Sequence, residues 1–160
     1  MKGVSRTPEG RLVVFHPGER DVLTQLVAGL VQIVSALLPE EDDAMASLVG
    51  VPVSAEEIAG RDPALRRLFP SAYPDDEEAD AEYRRFTESD AARAKVEAAV
   101  VMWRDLSGSG QVIVPDAHLE AWLKTLTAIR LVLSERDDPE LEDIHEWVGW
   151  VQESLLQAAD

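Results

Sequence analysis

Residues 22–38 run without one charged side chain, from just after the turn His16-Pro17-Gly18 to Pro39. Within them Leu23, Leu26, Val27, Leu30, Val34, Leu37 and Leu38 recur at helical spacing, and Val31 and Ile33 widen the stripe until little polar face remains. A helix that is apolar on nearly every side belongs at the centre of a bundle. The competing reading is a membrane span. The segment is at the short edge of spanning length, carries Thr24, Gln25, Gln32 and Ser35, and ends before the acidic run Glu40-Glu41-Asp42-Asp43 with no basic flank. A buried core helix is therefore expected, and no membrane association.

A chain of 160 residues can bury enough surface around such a helix to fold without a metal or disulfide staple. Its 46% hydrophobic content argues against disorder, and with 6% aromatic residues the core must be filled by aliphatic side chains and alanine. Further helices announce themselves by local signals. Asp62-Pro63 and Asp138-Pro139 pair a capping carboxylate with proline in the first turn. Asp116 should cap a helix carrying Leu119, Trp122, Leu123, Leu126, Ile129 and Leu133; Leu141, Ile144, Val148, Val151 and Leu155 form the last stripe.

From Asp75 to about Leu106 the pattern is helical with two stripes slightly out of phase, Tyr83 and Phe86 on one, Val96, Val100 and Trp103 on the other. A kink or break is expected between them at Thr87-Glu88-Ser89-Asp90, whose side chains can cap. Two short runs, residues 10–15 and 111–114, are bounded by Gly and Pro and should pair with each other. The expectation is a mainly α chain, a helical bundle with a minor two-stranded β-ribbon. It forms one domain over residues 1–160, with an irregular acidic connection at 39–61 in which Ser54-Ala55-Glu56-Glu57 matches a capping box.

Composition excludes several chemistries. Without cysteine there is no thiol catalysis, thiolate metal site or disulfide. The N-terminus leads into Thr7-Pro8-Glu9-Gly10 rather than an apolar run, so a cytoplasmic location is expected. A carboxylate-bridged metal pair in a bundle needs two Glu-x-x-His pairs. Only Glu142-Asp143-Ile144-His145 has that spacing, since His16 and His118 lack the preceding Glu. Gly108-Ser109-Gly110 lacks the flanks of a nucleophile elbow, and no phosphate-binding glycine loop occurs. No catalytic residue, cofactor or metal is assigned.

Charge gives the remaining candidates. The net charge is -16, although residues 1–20 hold four basic against two acidic side chains. Such a chain repels nucleic acid and anionic membranes at long range. Asp75, Asp76, Glu77 and Glu78 sit where carboxylates favour a helix N-terminus, and they also concentrate a field suited to a basic protein partner. The paired cations Arg66, Arg67, Arg84 and Arg85 flank apolar stripes and fall short of a nucleic-acid-binding face. Trp150 falls outside the stripe of the last helix, with Asp143 and Ser154, and suits an interface anchor. These nine residues are the candidate partner-binding set.

The stretch Asp62-Pro63-Ala64-Leu65-Arg66-Arg67-Leu68-Phe69-Pro70-Ser71-Ala72-Tyr73, with Asp75-Asp76-Glu77-Glu78-Ala79 and Tyr83-Arg84-Arg85-Phe86-Thr87-Glu88 after it, resembles an actinobacterial family catalogued as DUF2017. Trp122-Leu123-Lys124-Thr125-Leu126, Ile129-Arg130-Leu131-Val132-Leu133 and Trp147-Val148-Gly149-Trp150-Val151-Gln152-Glu153 extend the likeness over nearly the whole chain. Members of that family are often encoded beside the ClpS protease adaptor, and it has acquired the name AosR, an oxidative-stress transcriptional regulator. The resemblance implies regulation, not catalysis. The expected function is a non-enzymatic regulator acting through protein contacts, with transcription machinery as the partner and a homodimer open. Direct DNA binding is the alternative, and a metal-binding bundle stands behind it.

Overall fold

The computed structural model describes residues 1–38 and 62–158. The acidic connection expected at 39–61, with its capping box at 54–57, lies outside the described residues. In chain order the elements are β1 (Gly3–Thr7), β2 (Gly10–Val14), α1 (Glu19–Ser35), α2 (Ala64–Leu68), α3 (Glu77–Ser107), β3 (Val112–Val114), a 3-10 turn (Asp116–His118), α4 (Leu119–Glu135) and α5 (Pro139–Gln157). The chain is mainly α, as the helical periodicities indicate.

The uncharged segment folds as α1 and packs against α3 and α4. Leu23, Val27 and Val31 are fully buried there, against Val96, Ala99 and Met102 of α3 and Trp122 and Leu126 of α4 in one continuous core. Val148, Val151 and Leu155 close it from α5. No helix among the described residues is long and apolar enough to cross a membrane.

The expected pairing is present, with β2 antiparallel to β3 in the register Leu12↔Ile113. The ribbon is nevertheless part of a three-stranded sheet, because Gly3–Thr7 adds an outer strand to β2 through the two-residue link Pro8-Glu9. Sequence reasoning missed β1 because its only large apolar residue is Val4 and Pro8-Glu9 is not a favoured hairpin dipeptide. What holds the link is Thr7, whose hydroxyl donates to the Gly10 carbonyl at 2.9 Å.

Asp116 does not cap α4. The register places Arg6 opposite Arg11, a like-charge pair that is unfavourable by itself, and Asp116 accepts hydrogen bonds from both guanidinium groups. Arg11, 4% exposed, also donates from Nε to the Leu155 carbonyl at 3.0 Å, tying the sheet to the last turn of α5. Asp138 does cap, accepting from the Glu140 amide at 3.0 Å. Asp62 accepts from the Ala64 amide at 2.9 Å and forms a two-pronged pair with Arg136, 2.8 Å on each arm.

The break expected at residues 87–90 is absent, since α3 is continuous through them. The potential capping groups are used inside the helix instead: Thr87 Oγ1 donates to the Tyr83 carbonyl and Asp90 pairs with Arg93. An unbroken helix cannot turn two out-of-phase stripes to the same core. The stripe of Val96 and Val100 is buried, and the stripe of Tyr83 and Phe86 is left in solvent.

Candidate functional site

The N-terminal half of α3 and the segment leading to it from α2 form one organised surface. Asp76 caps α3 by accepting from the Ala79 amide at 3.0 Å, which brings Asp80 onto the first turn beneath the loop of residues 69–73. Asp80 accepts from the Ser71 hydroxyl at 3.2 Å, from the amides of Ala72 and Tyr73 at 3.0 and 3.3 Å, and from Arg84 Nε at 3.1 Å. Arg84 in turn donates to the Phe69 carbonyl at 2.9 Å. Partial burial opposes ionisation of Asp80, but the donors from Arg84, Tyr73 and Ser71 outweigh it and hold its carboxyl below the usual range. The loop is thus clamped to the helix at both ends.

The clamp presents aromatic rings to water. Tyr73 meets Tyr83 edge-on, with centroids 5.9 Å apart and planes at 79°, although the two are 49% and 47% exposed. Phe86, three residues beyond Tyr83 and so on the same side of α3, is 76% exposed. Asp75, Asp76, Glu77 and Glu78 are all exposed beside them. Among the described residues, a solvent-facing phenylalanine one turn beyond an edge-on tyrosine pair, on a helix that begins with exposed carboxylates, is the strongest candidate site.

The chain also belongs to a known family. A family model described as a domain of unknown function, DUF2017, matches residues 1–159. This is a DUF2017 protein. No curated protein and no solved structure matches it.

Of the nine expected partner-binding residues, the DUF2017 fold gathers the four acids and Arg84 at the clamp. Arg67 is turned toward α4, where it pairs with Glu135 at 3.2 Å and donates to Ser134 Oγ at 3.1 Å. Arg66 is exposed, and the backbone of Arg85 lies within α3. Trp150 stands on another element, α5, 44% exposed, while Val148 and Val151 are buried. Asp80 and the rings Tyr73, Tyr83 and Phe86 were missed as site residues. Their one sequence signal is that Tyr83 and Phe86 are the only large apolar residues among the charges of residues 75–90.

A second polar cluster lies at the other end of α3. Asp105 accepts from the indole of the fully buried Trp122 at 2.9 Å and faces His118 Nδ1 at 2.9 Å. Through Asp105 the cluster fastens α3 to His118 and to Trp122 of α4. His145, half-buried, borders a polar hollow at the α4–α5 junction with Glu142 and Glu146. Among the described residues no three His, Asp or Glu side chains are grouped so as to hold a metal ion.

Proposed function

We propose that this chain is a non-enzymatic regulatory protein that works by holding another protein against the aromatic surface of Tyr73, Tyr83 and Phe86. The observation that carries the reading is the exposure of Phe86 beside a tyrosine pair fixed by the Asp80–Arg84 clamp. Aromatic anchors of this kind dominate the energetics of protein interfaces, and a pre-ordered loop lowers the entropic cost of docking. The rim of Asp75, Asp76, Glu77 and Glu78 selects a partner whose docking face is basic around an apolar centre, and speeds its encounter.

In its finer form the proposal places the protein in the cytoplasm, in transcriptional control under oxidative stress, with a component of the transcription machinery as partner. The support for that step is the resemblance to AosR-like regulators. A cysteine-free chain would receive such a signal through its partner, not through a thiol of its own. Direct DNA binding is the weaker alternative. Arg6, Arg11, Arg67, Arg84 and Arg136, a third of the 15 Lys and Arg, are engaged with carboxylates of the same chain, which weakens their use in replacing counterions on phosphate.

The test is capture from the native host with the wild-type chain, Phe86→Ser, and Glu77→Lys with Glu78→Lys. Phe86 is in solvent, so its replacement should leave the fold intact. A partner retained by the wild type and lost by both variants supports the proposal; a partner held equally by all three removes this surface from its function.

A further inference from the structure

A separate groove runs between α3 and α4, with a volume of about 740 Å³. That lies inside the range of roughly 300–1,000 Å³ typical of small-molecule sites. Its walls are small and apolar: Ala94 and Ala98 on α3, Ala121 and Ala128 on α4, with Leu30 of α1 among its lining residues. From Glu120 to Leu131 it follows α4 for about 16 Å, taking 1.5 Å per residue. Among the described residues no aromatic ring lines it and most of the lining side chains are alanine or leucine, so its shape suits a flexible aliphatic body better than a ring system or a sugar.

Its charge is the second observation. Lys95 and Lys124 both line the groove. Lys124 is matched by Glu120 at 2.6 Å. Lys95 has no carboxylate among the described residues within ion-pair reach, and its ammonium lies 5.5 Å from the centre of the Phe69 ring. Burial, and behind it the charge of Lys124, hold the Lys95 pKa below the usual lysine value, as expected for a cation short of a counter-charge. In a protein of net charge -16 an uncompensated, partly buried cation in an apolar groove is out of keeping with the surface as a whole. Long-range repulsion of anions by that net charge is screened beyond about 8 Å at physiological salt, so the local cation decides what binds.

We infer that the groove between α3 and α4 binds an aliphatic carboxylate, its chain along the alanine walls and its carboxylate on Lys95. The inference does not depend on the docking surface proposed above: none of the groove's lining residues belongs to that surface, and the two meet at Phe69, whose carbonyl accepts from Arg84 and whose ring faces Lys95.

Calorimetric titration of the full chain with decanoate and decyltrimethylammonium below their micelle concentrations, and with decanol below its solubility limit, tests it. Decanoate should bind at least about tenfold more tightly than decanol, the discrimination that one charge-assisted hydrogen bond brings, and decyltrimethylammonium more weakly still. Lys95→Gln should remove the preference for decanoate over decanol while leaving decanol unchanged, and Ala94→Leu should weaken all three by narrowing the groove, with circular dichroism confirming the fold of both variants. Equal affinity for the three probes, no binding of decanoate, or a preference that survives Lys95→Gln would each overturn the proposal. So would sedimentation showing that Ala94→Leu dissolves a dimer, for then a second copy covers the groove.

Discussion

Asp105 shows how one side chain can carry more than its exposure suggests. Its carboxylate is what satisfies the indole N–H of Trp122, a group with no access to water. Asp105→Ala would leave that donor buried and unpaired, so chemical denaturation should find the variant less stable by about 1–3 kcal/mol. Trp150 is the opposite case, a large ring whose removal the fold should hardly register. Trp150→Ala is expected to change stability by less than about 0.5 kcal/mol. If the ring anchors a contact with another chain, the same variant should weaken self-association or partner capture; sedimentation and capture both unchanged would strike Trp150 from the binding residues. Asp62 provides a pH signature. The hydrogen bonds from Arg136 lower its pKa, burial works against them, and the Ala64 amide adds to the lowering. A carboxylate with a depressed folded-state pKa stabilises above its unfolded value and loses that contribution as pH falls through the folded one. The stability difference between wild type and Asp62→Asn should therefore be full at pH 7, begin to shrink below about pH 4 as the unfolded carboxyl takes up its proton, and vanish only once pH has fallen through the lower folded-state pKa. A difference that stays constant down to pH 2 would show that the pair with Arg136 contributes nothing.

Among the elements, β2 depends on one glycine. Gly10 adopts φ 143°, and a Cβ there would collide with the carbonyl of Val114 on the neighbouring strand. Gly10→Ala must strain its own backbone and push β3 away, a loss we place at about 1–3 kcal/mol or more, measurable as a lower unfolding midpoint. What could be foreseen of these elements follows the range of the interaction. The caps Asp62 and Asp138 act two residues away, and the stripes of α1, α4 and α5 repeat within a turn, so both are written locally; Asp116 failed as a cap because Arg6 and Arg11, more than a hundred residues earlier, take its carboxylate. The outer strand β1 is held mainly by pairing with β2 and has little apolar alternation to betray it. The clamp at the candidate site was half legible: its acids were visible as a run, but Asp80 was not separable from its neighbours, because its donors come from a loop seven to nine residues earlier. Tyr83 and Phe86 were seen as a stripe, and only the unbroken course of α3 shows that this stripe has no core to meet.

At the scale of the whole molecule, charge and connectivity set the behaviour. A net charge of -16 on 160 residues makes the folded chain repel itself, and added salt relieves that repulsion. The thermal midpoint should rise between about 10 and 150 mM sodium chloride. A falling midpoint would mean that the internal ion pairs, such as Arg84 with Asp80 and Arg136 with Asp62, outweigh the general repulsion. Connectivity matters for a different reason. The buried guanidinium of Arg11 reaches its acceptor on Leu155 across 144 positions of sequence. On a ribosome adding roughly 5–20 residues per second, the arginine is made on the order of ten seconds before its acceptor. Before then its charge can already meet Asp116, made 105 positions after it, so the bond to Leu155 that ties the sheet to α5 is the last of its contacts to become available.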